Sequence, residues 1–470
     1  MADGPYRSDR GLRLSELRTG RFRRLAPGTA VILAFTLSLP IGADQARGQI
    51  GSSSTPNILV ILTDDQRRDE TMTMMPMTRR IFGGGGTSFS NAFATTPLCC
   101  PSRASLLTGM YAHNHQVLRN GDADQLDEDA TIQRYLADAG YRNGLFGKYL
   151  IGFPTEHNPP HVHDWATTKG RAYNDGLWNV QGQVTSVDMY STDFIAAKSL
   201  GFLESTESED ARPWFLLITP HAPHEPAPHP PRHDGVALPE WEPNPAMLER
   251  NRRDKPRYVQ RRQVTLRSQK VVRRRQLRAL PAVDELTDAV FDKLAELDED
   301  DSTLAFYLSD NGMMWGEHGI RRKRHAYTQS VSVPLYARWP GVISGGLTDS
   351  RIVGVLDVPV TIMDAVEIEP SNPMDGRSML IDESRDRILL EFFNEQGVPS
   401  WASLRTPRYQ YVEYYRDNET MSFREYYDLR TDPWQLVNLL HDRDPDNNPD
   451  TTRAQARLSA DRSCAASTCP

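Results

Sequence analysis

An α/β fold is what this sequence predicts, and three observations predict it. Short continuous apolar runs end in polar clusters, helical patterns lie between them, and a tyrosine-rich stretch near the C-terminus reads as paired strands.

The strands come first. Ile58 to Leu62 runs into Thr63, Asp64 and Asp65; Trp214 to Ile218 runs into Thr219, Pro220 and His221; Leu304 to Leu308 runs into Ser309, Asp310 and Asn311. Unbroken apolar runs suit strands covered on both faces, as in a parallel sheet. A shorter strand is expected at Asn143 to Gly147. Helices are expected at Thr131 to Ala139, closed by Gly140, and at Asp284 to Leu297, where Leu286, Val290, Leu294 and Leu297 keep helical spacing. In open α/β sheets ligands bind beyond the carboxyl ends of the strands. The polar clusters occupy that position, so they can converge although far apart in sequence.

The C-terminal part reads differently. Tyr409, Tyr411, Tyr414 and Tyr415, then Tyr426 and Tyr427, suggest antiparallel strands around a turn. The expected division is a catalytic domain at 55–380 and a small α+β domain at 381–470.

The first 46 residues read as a secretory signal. A cluster of Arg18, Arg21, Arg23 and Arg24 precedes the apolar run Ala30 to Leu39, and small residues follow. That run is shorter than the ~20 residues a membrane span needs. A secreted or extracytoplasmic protein without stable membrane insertion is therefore expected. Cys464 and Cys469 could close a small disulfide loop in that setting. Adjacent Cys99 and Cys100 suit a mutual disulfide poorly. With 54 Lys and Arg against 62 Asp and Glu, the net charge is -8, which argues against a dedicated nucleic-acid binder. Arg250 to Arg278 is densely basic. It reads either as a solvated, surface-lying helical region or as a positive rim that attracts polyanions.

The most informative stretch is Pro97 to Gly109, PLCCPSRASLLTG. Proline in a first turn costs a helix no hydrogen bond. Cys99 therefore stands at or just before a helix N-terminus, where free N–H groups and the helix dipole favour an anion. Arg103, four residues on, could reach back toward the same point as a catalytic guanidinium, so a nucleophile, an anion pocket and a positive charge are expected together.

This CxPSR followed by LTG resembles the signature of the sulfatases. The likeness continues through NILVILTDDQ (57–66), GKYL (147–150), HAPHEP (221–226), SDNG (309–312), KRHAYTQSVSVPL (323–335) and YYDLRTDPWQLVNL (426–439). The doubled cysteine and the following HNH are most similar to N-acetylglucosamine-6-sulfatases. The resemblance implies an alkaline-phosphatase-like fold: a large, mostly parallel mixed sheet flanked by helices, with a smaller antiparallel sheet behind it. It implies a sulfuric ester hydrolase in which a maturation enzyme oxidises Cys99 to Cα-formylglycine. It also implies a sulfated small molecule or glycan as substrate.

Asp64, Asp65, Asp310 and Asn311 form an oxygen-only set suited to Ca²⁺ or Mg²⁺ rather than zinc. The resemblance makes these four, with residue 99, the metal ligands, usually for calcium. It also brings Lys148 and Lys323 to the sulfate. It makes His224 a proton donor to the leaving alcohol and His221 a further substrate contact. The chain departs from many relatives at Leu150, Thr328, Met313 and Met314, which leaves the natural substrate open. Two other readings compete: a phosphate or phosphonate monoester hydrolase of the same superfamily, and a non-catalytic binder of polyanionic glycans.

Overall fold

The computed structural model describes residues 55–169, 173–209 and 212–470, all within one compact unit. The expected signal segment at 1–46 lies outside the described residues. Among the described residues, no helix is long and apolar enough to cross a membrane.

Ten strands build the main sheet. In chain order they include β1 (Asn57–Thr63), β2 (Thr87–Phe93), β3 (Arg142–Lys148), β4 (Asp164–Thr168), β5 (Gly176–Val180) and β6 (Gln183–Val187). They continue with β7 (Trp214–Thr219) and β8 (Thr303–Ser309). A separate two-stranded piece follows, β9 (Met314–Trp315) with β10 (Arg321–Arg322); β11 (Leu335–Arg338) and β12 (Leu347–Gly354) then return to the main sheet. Its order is β12-β2-β11-β8-β1-β7-β3-β4-β5-β6. The centre from β8 to β4 is parallel, and β11, β5 and β6 run antiparallel to their neighbours.

The apolar runs are buried on both faces, as their continuity requires. Ile58, Val60 and Leu62 face a core with Phe215, Leu217, Leu304 and Phe306. Leu59 and Ile61 face the opposite core with Leu216, Ile218 and Tyr307. The helix Cys99–Thr108 covers the first face through Cys100, Ala104 and Leu107, and it stops at Gly109 in the left-handed conformation, φ 71°. Glycine meets that geometry without a Cβ clash.

The second face is covered by two helices, Ser191–Glu209 and Leu266–Glu296, and the longer one continues through Pro281. An internal proline removes a backbone hydrogen bond. Burial of Leu277, Leu280, Val283, Leu286 and Val290 on one stripe offsets that loss, each side chain contributing ~1.5–3 kcal/mol. The helix expected at Asp284 to Leu297 is thus the second half of a longer one. The basic stretch before it is only partly solvated. Arg252, Lys255 and Arg273 are buried, and Arg273 pairs with Glu70 at 2.8 Å.

The smaller sheet is antiparallel throughout: β13 (Ile388–Phe392), β14 (Trp401–Arg405), β15 (Tyr409–Tyr415) and β16 (Met421–Asp428). The tyrosine-rich strands pair as expected. Ile388, Leu390 and Trp401 share a core with Phe93, Leu98 and Val331 of the larger part. Cys464 and Cys469 form a disulfide.

Candidate active site

Parallel pairing sets the acidic cluster. Thr63 of β1 lies opposite Ser309 of β8, so Asp64 and Asp65 leave the sheet beside Asp310 and Asn311. The Asp65 amide donates to Asp310 Oδ1 at 3.1 Å, and Asn311 Nδ2 donates to Asp65 Oδ1 at 2.7 Å. Asp65 adopts φ 66°, which turns the chain sharply off the strand end. Lys148 closes β3, two strands from β1, and His221 follows β7.

Cys99 begins its helix inside this ring. Its sulfur lies 3.5 Å from Asp64 Oδ1, and Lys323 Nζ donates to it at 2.8 Å. Lys323 also bonds Asp65 Oδ1, and Lys148 Nζ bonds Asp64 Oδ2 at 2.5 Å. His224 Nε2 stands 3.6 Å from Asp65 Oδ2, and its Nδ1 is 2.6 Å from the Glu225 carbonyl. A carbonyl only accepts, so Nδ1 carries a proton and Nε2 is left facing the acids. Arg103 is buried and does not line the cleft; it donates to Asp310 Oδ2 at 2.9 Å and to the Lys148 carbonyl at 2.7 Å.

Burial opposes every charge here, and pairing decides the outcome. Burial raises the Asp64 carboxyl, yet Lys148, His224, Lys323 and Arg103 together hold it well below the usual carboxylate range. Burial and the neighbouring Asp64 charge push Asp310 up, although Arg103 opposes them. Burial, with Asp64, pushes the Cys99 thiol up to about 12, so the unmodified side chain is a neutral thiol. Burial lowers His221 to about 3; its ring is neutral, and neither nitrogen has a hydrogen-bond partner.

The residues could hold a metal ion. Asp64, Asp65, Cys99 and His224 each turn one donor atom to within 4.8 Å of the others. Asn311 Oδ1 is buried without a partner, and an orphaned amide oxygen beside three carboxylates is a ready oxygen ligand.

The cluster floors a cleft of 740 Å³. Seven of the ten predicted site residues line it: Asp64, Asp65, Cys99, Lys148, His221, His224 and Lys323. Asp310, Asn311 and Arg103 are buried against them. Sequence reasoning did not single out Lys169, Arg322, Arg324, Glu225 or Gln396, which also line the cleft. Arg322 and Arg324 flank Lys323 in the run RRKRH, and that density of charge was the available signal. Arg275, from the basic stretch, is at the rim. Met313, Met314 and Thr328 do not line the cleft; the two methionines are core, and Thr328 bonds Gln435.

Comparisons with known proteins agree with this geometry. Residues 56–368 match the Sulfatase family model, and residues 316–460 match that of the N-sulphoglucosamine sulphohydrolase C-terminal region. The extracellular sulfatase SULF-1 homolog of Drosophila melanogaster is 33% identical across 69% of the chain, and the Caenorhabditis elegans homolog is 32% identical across 70%. The chain spans 31% and 49% of the lengths of those two relatives. The human N-acetylglucosamine-6-sulfatase is 29% identical, with 97% of the chain and 94% of the relative covered. Among solved structures, BT4656 in complex with its substrate D-glucosamine-2-N,6-O-disulfate superposes with a TM-score of 0.74 at 22% identity, over 86% of this chain and 96% of that one. The phosphonate monoester hydrolase of Agrobacterium radiobacter gives 0.68 at 20%, over 87% and 96%. Both likenesses concern the fold. The family model takes in every residue that converges on the cleft floor, and by that match the chain belongs to the sulfatase family.

Proposed function

We propose that the chain hydrolyses a sulfate ester of a sugar, with residue 99 as the nucleophile after its conversion to formylglycine. One observation carries the reading: Cys99 heads a helix with its sulfur 3.5 Å from Asp64 and 2.8 Å from the Lys323 ammonium. A nucleophile, an acid cluster and a cation meet at one buried point.

As formylglycine hydrate, residue 99 supplies one hydroxyl to attack sulfur and a second whose deprotonation lets sulfate leave and the aldehyde re-form. Lys148 and Lys323 supply positive charge where sulfate oxygens gain negative charge. His224, and Lys323 beside it, are the candidates to give the departing alcohol its proton. His221, neutral and unpartnered, has a ring N–H to offer the substrate. Arg103 holds Asp310 and the backbone of Lys148 in place.

Asp64, Asp65, Asp310 and Asn311, with residue 99, would hold the divalent cation, and so many protein donors suit calcium better than magnesium, which keeps several of its waters. A bound cation supplies Lewis-acid polarisation of a sulfate oxygen. The lysines give a further reason for it. When Lys148 and Lys323 turn to a sulfate, Asp64 and Asp65 lose their counter-ions. Adjacent buried carboxylates without compensation are costly.

An N-acetylglucosamine-6-sulfate-like substrate is favoured by the identity to N-acetylglucosamine-6-sulfatases along nearly the whole chain. An extracytoplasmic location is favoured by the basic head and apolar run of the first 46 residues and by relatives named extracellular sulfatases.

The test is mass spectrometry of the peptide spanning residue 99, with activity on a panel of sulfated sugars. Loss of the sulfur, with gain of an aldehyde, and release of sulfate are the expected results. Full activity in a chain whose Cys99 is entirely thiol sinks the mechanism. A higher rate on nitrophenyl phosphate or a phosphonate ester than on nitrophenyl sulfate would shift the reading to the phosphonate hydrolases that share the fold.

A further inference from the structure

A second cavity of 610 Å³ adjoins the reactive cleft, and Arg322, Lys323, Arg324 and Gln396 line both. Arg262 and Arg321 line the second cavity alone, and among the described residues no Asp or Glu lines it. Arg322, Lys323 and Arg324 have carboxylate partners, but Arg262 and Arg321 have none among the described residues; the excess positive charge is repulsive, and an anion relieves that repulsion.

The arginines are differently held. Arg324 is the informative one. It is more than nine-tenths buried, and its Nε has no hydrogen-bond partner. Its nearest carboxylate oxygen, on Glu395, is 3.4 Å away. Its backbone sits at φ 86°, with its carbonyl fixed by Trp401 Nε1 at 2.9 Å. A solvated surface arginine has no need of such anchoring. Arg262 lies over the Tyr258 ring and reaches only backbone carbonyls, those of Gln396 and Gly397 at 3.3 and 3.5 Å. Arg321 has no ion pair among the described residues. Arg322 leans the other way, onto Glu225 of the reactive cleft, at 3.3 Å.

We propose that this cavity is a second anion-binding subsite, which takes a sulfate or carboxylate on the sugar adjoining the one that is desulfated. The ligand class is a linear, multiply anionic glycan. Guanidinium forks match the paired oxygens of both groups, and Gln396 offers an amide to sugar hydroxyls between the two cavities. The proposal rests on the sulfatase reading of the first cleft. It goes beyond that reading by making length and charge of the glycan determinants of specificity.

The binding test uses full-length Cys99→Ala protein and a sulfated tetrasaccharide, titrated calorimetrically over a series of salt concentrations. Arg262→Ala with Arg321→Ala is expected to weaken binding roughly tenfold or more and to flatten the salt dependence. Lysine at both positions should restore the salt dependence but only part of the affinity, and thermal unfolding of each variant checks that it is folded. In the converted enzyme, the same alanine pair should lower the ratio of kcat/KM on the tetrasaccharide to kcat/KM on a monosulfated monosaccharide. Unchanged affinity and salt dependence in a folded double variant overturn the subsite. Arginine-dependent binding without hydrolysis of any sulfated sugar would instead overturn the sulfatase reading and leave the subsite standing.

Discussion

Lys323 touches Cys99 and Asp65 at once, so a single ammonium joins the nucleophile's position to the acid cluster. The loop that carries it is held by the smaller sheet. Trp401 Nε1 donates to the Arg324 carbonyl at 2.9 Å, Gln410 Nε2 donates to the Ala326 carbonyl at 2.6 Å, and the Thr328 amide donates to Gln435 Oε1 at 2.8 Å. The antiparallel sheet therefore supplies position rather than chemistry.

Replacing Lys323 with alanine removes a preorganised positive donor next to the reacting atoms. Such a loss is expected to lower kcat by about 10²–10³-fold. Lys323→Arg keeps the charge but not the compact ammonium, so it should recover only part of the rate. Steady-state kinetics on a nitrophenyl sulfate read both, and a kcat within threefold of the parent in the alanine variant would remove Lys323 from the chemistry.

Arg103 serves from behind the cleft. Arg103→Ala leaves Asp310 without its guanidinium partner in a buried site. Breaking one side of a buried pair costs about 3–5 kcal/mol. The variant should unfold at a lower temperature in calorimetry and bind divalent cation more weakly. A parent-like melting temperature would contradict the structural part of this role.

Treatment with a chelator tests the oxygen-donor set. Activity should fall on dialysis against EDTA and return on adding calcium, with magnesium less effective. The same treatment should also lower the melting temperature, since a ligand bound only by the folded state stabilises it. An enzyme equally active and equally stable after exhaustive chelation would exclude the metal.

Much of this site was legible in the sequence because strand ends are. Three apolar runs followed by DD, TPH and SDN marked the carboxyl edge of a parallel sheet, and β1, β7 and β8 do end there. The cysteine motif identified the helix start from its proline alone. What the sequence withheld depends on tertiary burial. Nothing local distinguishes Arg273, which is buried against Glu70, from exposed Arg274 beside it. The helix expected from Asp284 begins at Leu266 instead, because packing carries it through Pro281. Met313 and Met314 sit in a motif that reads as a pocket loop, but the chain folds them into the core.

The HNH segment should make stability depend on pH. His113 Nδ1 lies 2.9 Å from Glu391 Oε2, and its Nε2 lies 2.9 Å from the Cys464 carbonyl, so both nitrogens face acceptors. Burial lowers the ring's affinity for a proton, but Glu391 outweighs it and raises the pKa from 6.5 to about 8. The folded state therefore holds this proton more tightly than the unfolded state. The stabilisation, on the order of 2 kcal/mol, is complete below about pH 6.5 and disappears as pH rises through about 8. Urea unfolding of the parent and of His113→Gln across this range should show the difference between them shrinking. A difference constant from acid to alkaline pH would exclude the charged ring.

Glu425 gives the last test, because it ties the Lys323 loop to the smaller sheet without touching the cleft. Its carboxylate accepts from Tyr327 at 3.0 Å and from Tyr414 and Tyr427 at 2.7 Å each. Burial pushes its pKa up, with Lys255 pulling the other way. Glu425→Leu fills the space but leaves three buried hydroxyls to find other partners, at a cost of about 2–4 kcal/mol. Tyr327 lies four residues after Lys323, so its release loosens the loop that carries the ammonium. The variant should lose kcat as well as stability, whereas Glu425→Gln, which keeps an acceptor oxygen, should retain more of both. If Glu425→Leu lowers the melting temperature but leaves kcat at low temperature untouched, the smaller sheet stabilises the chain without positioning Lys323.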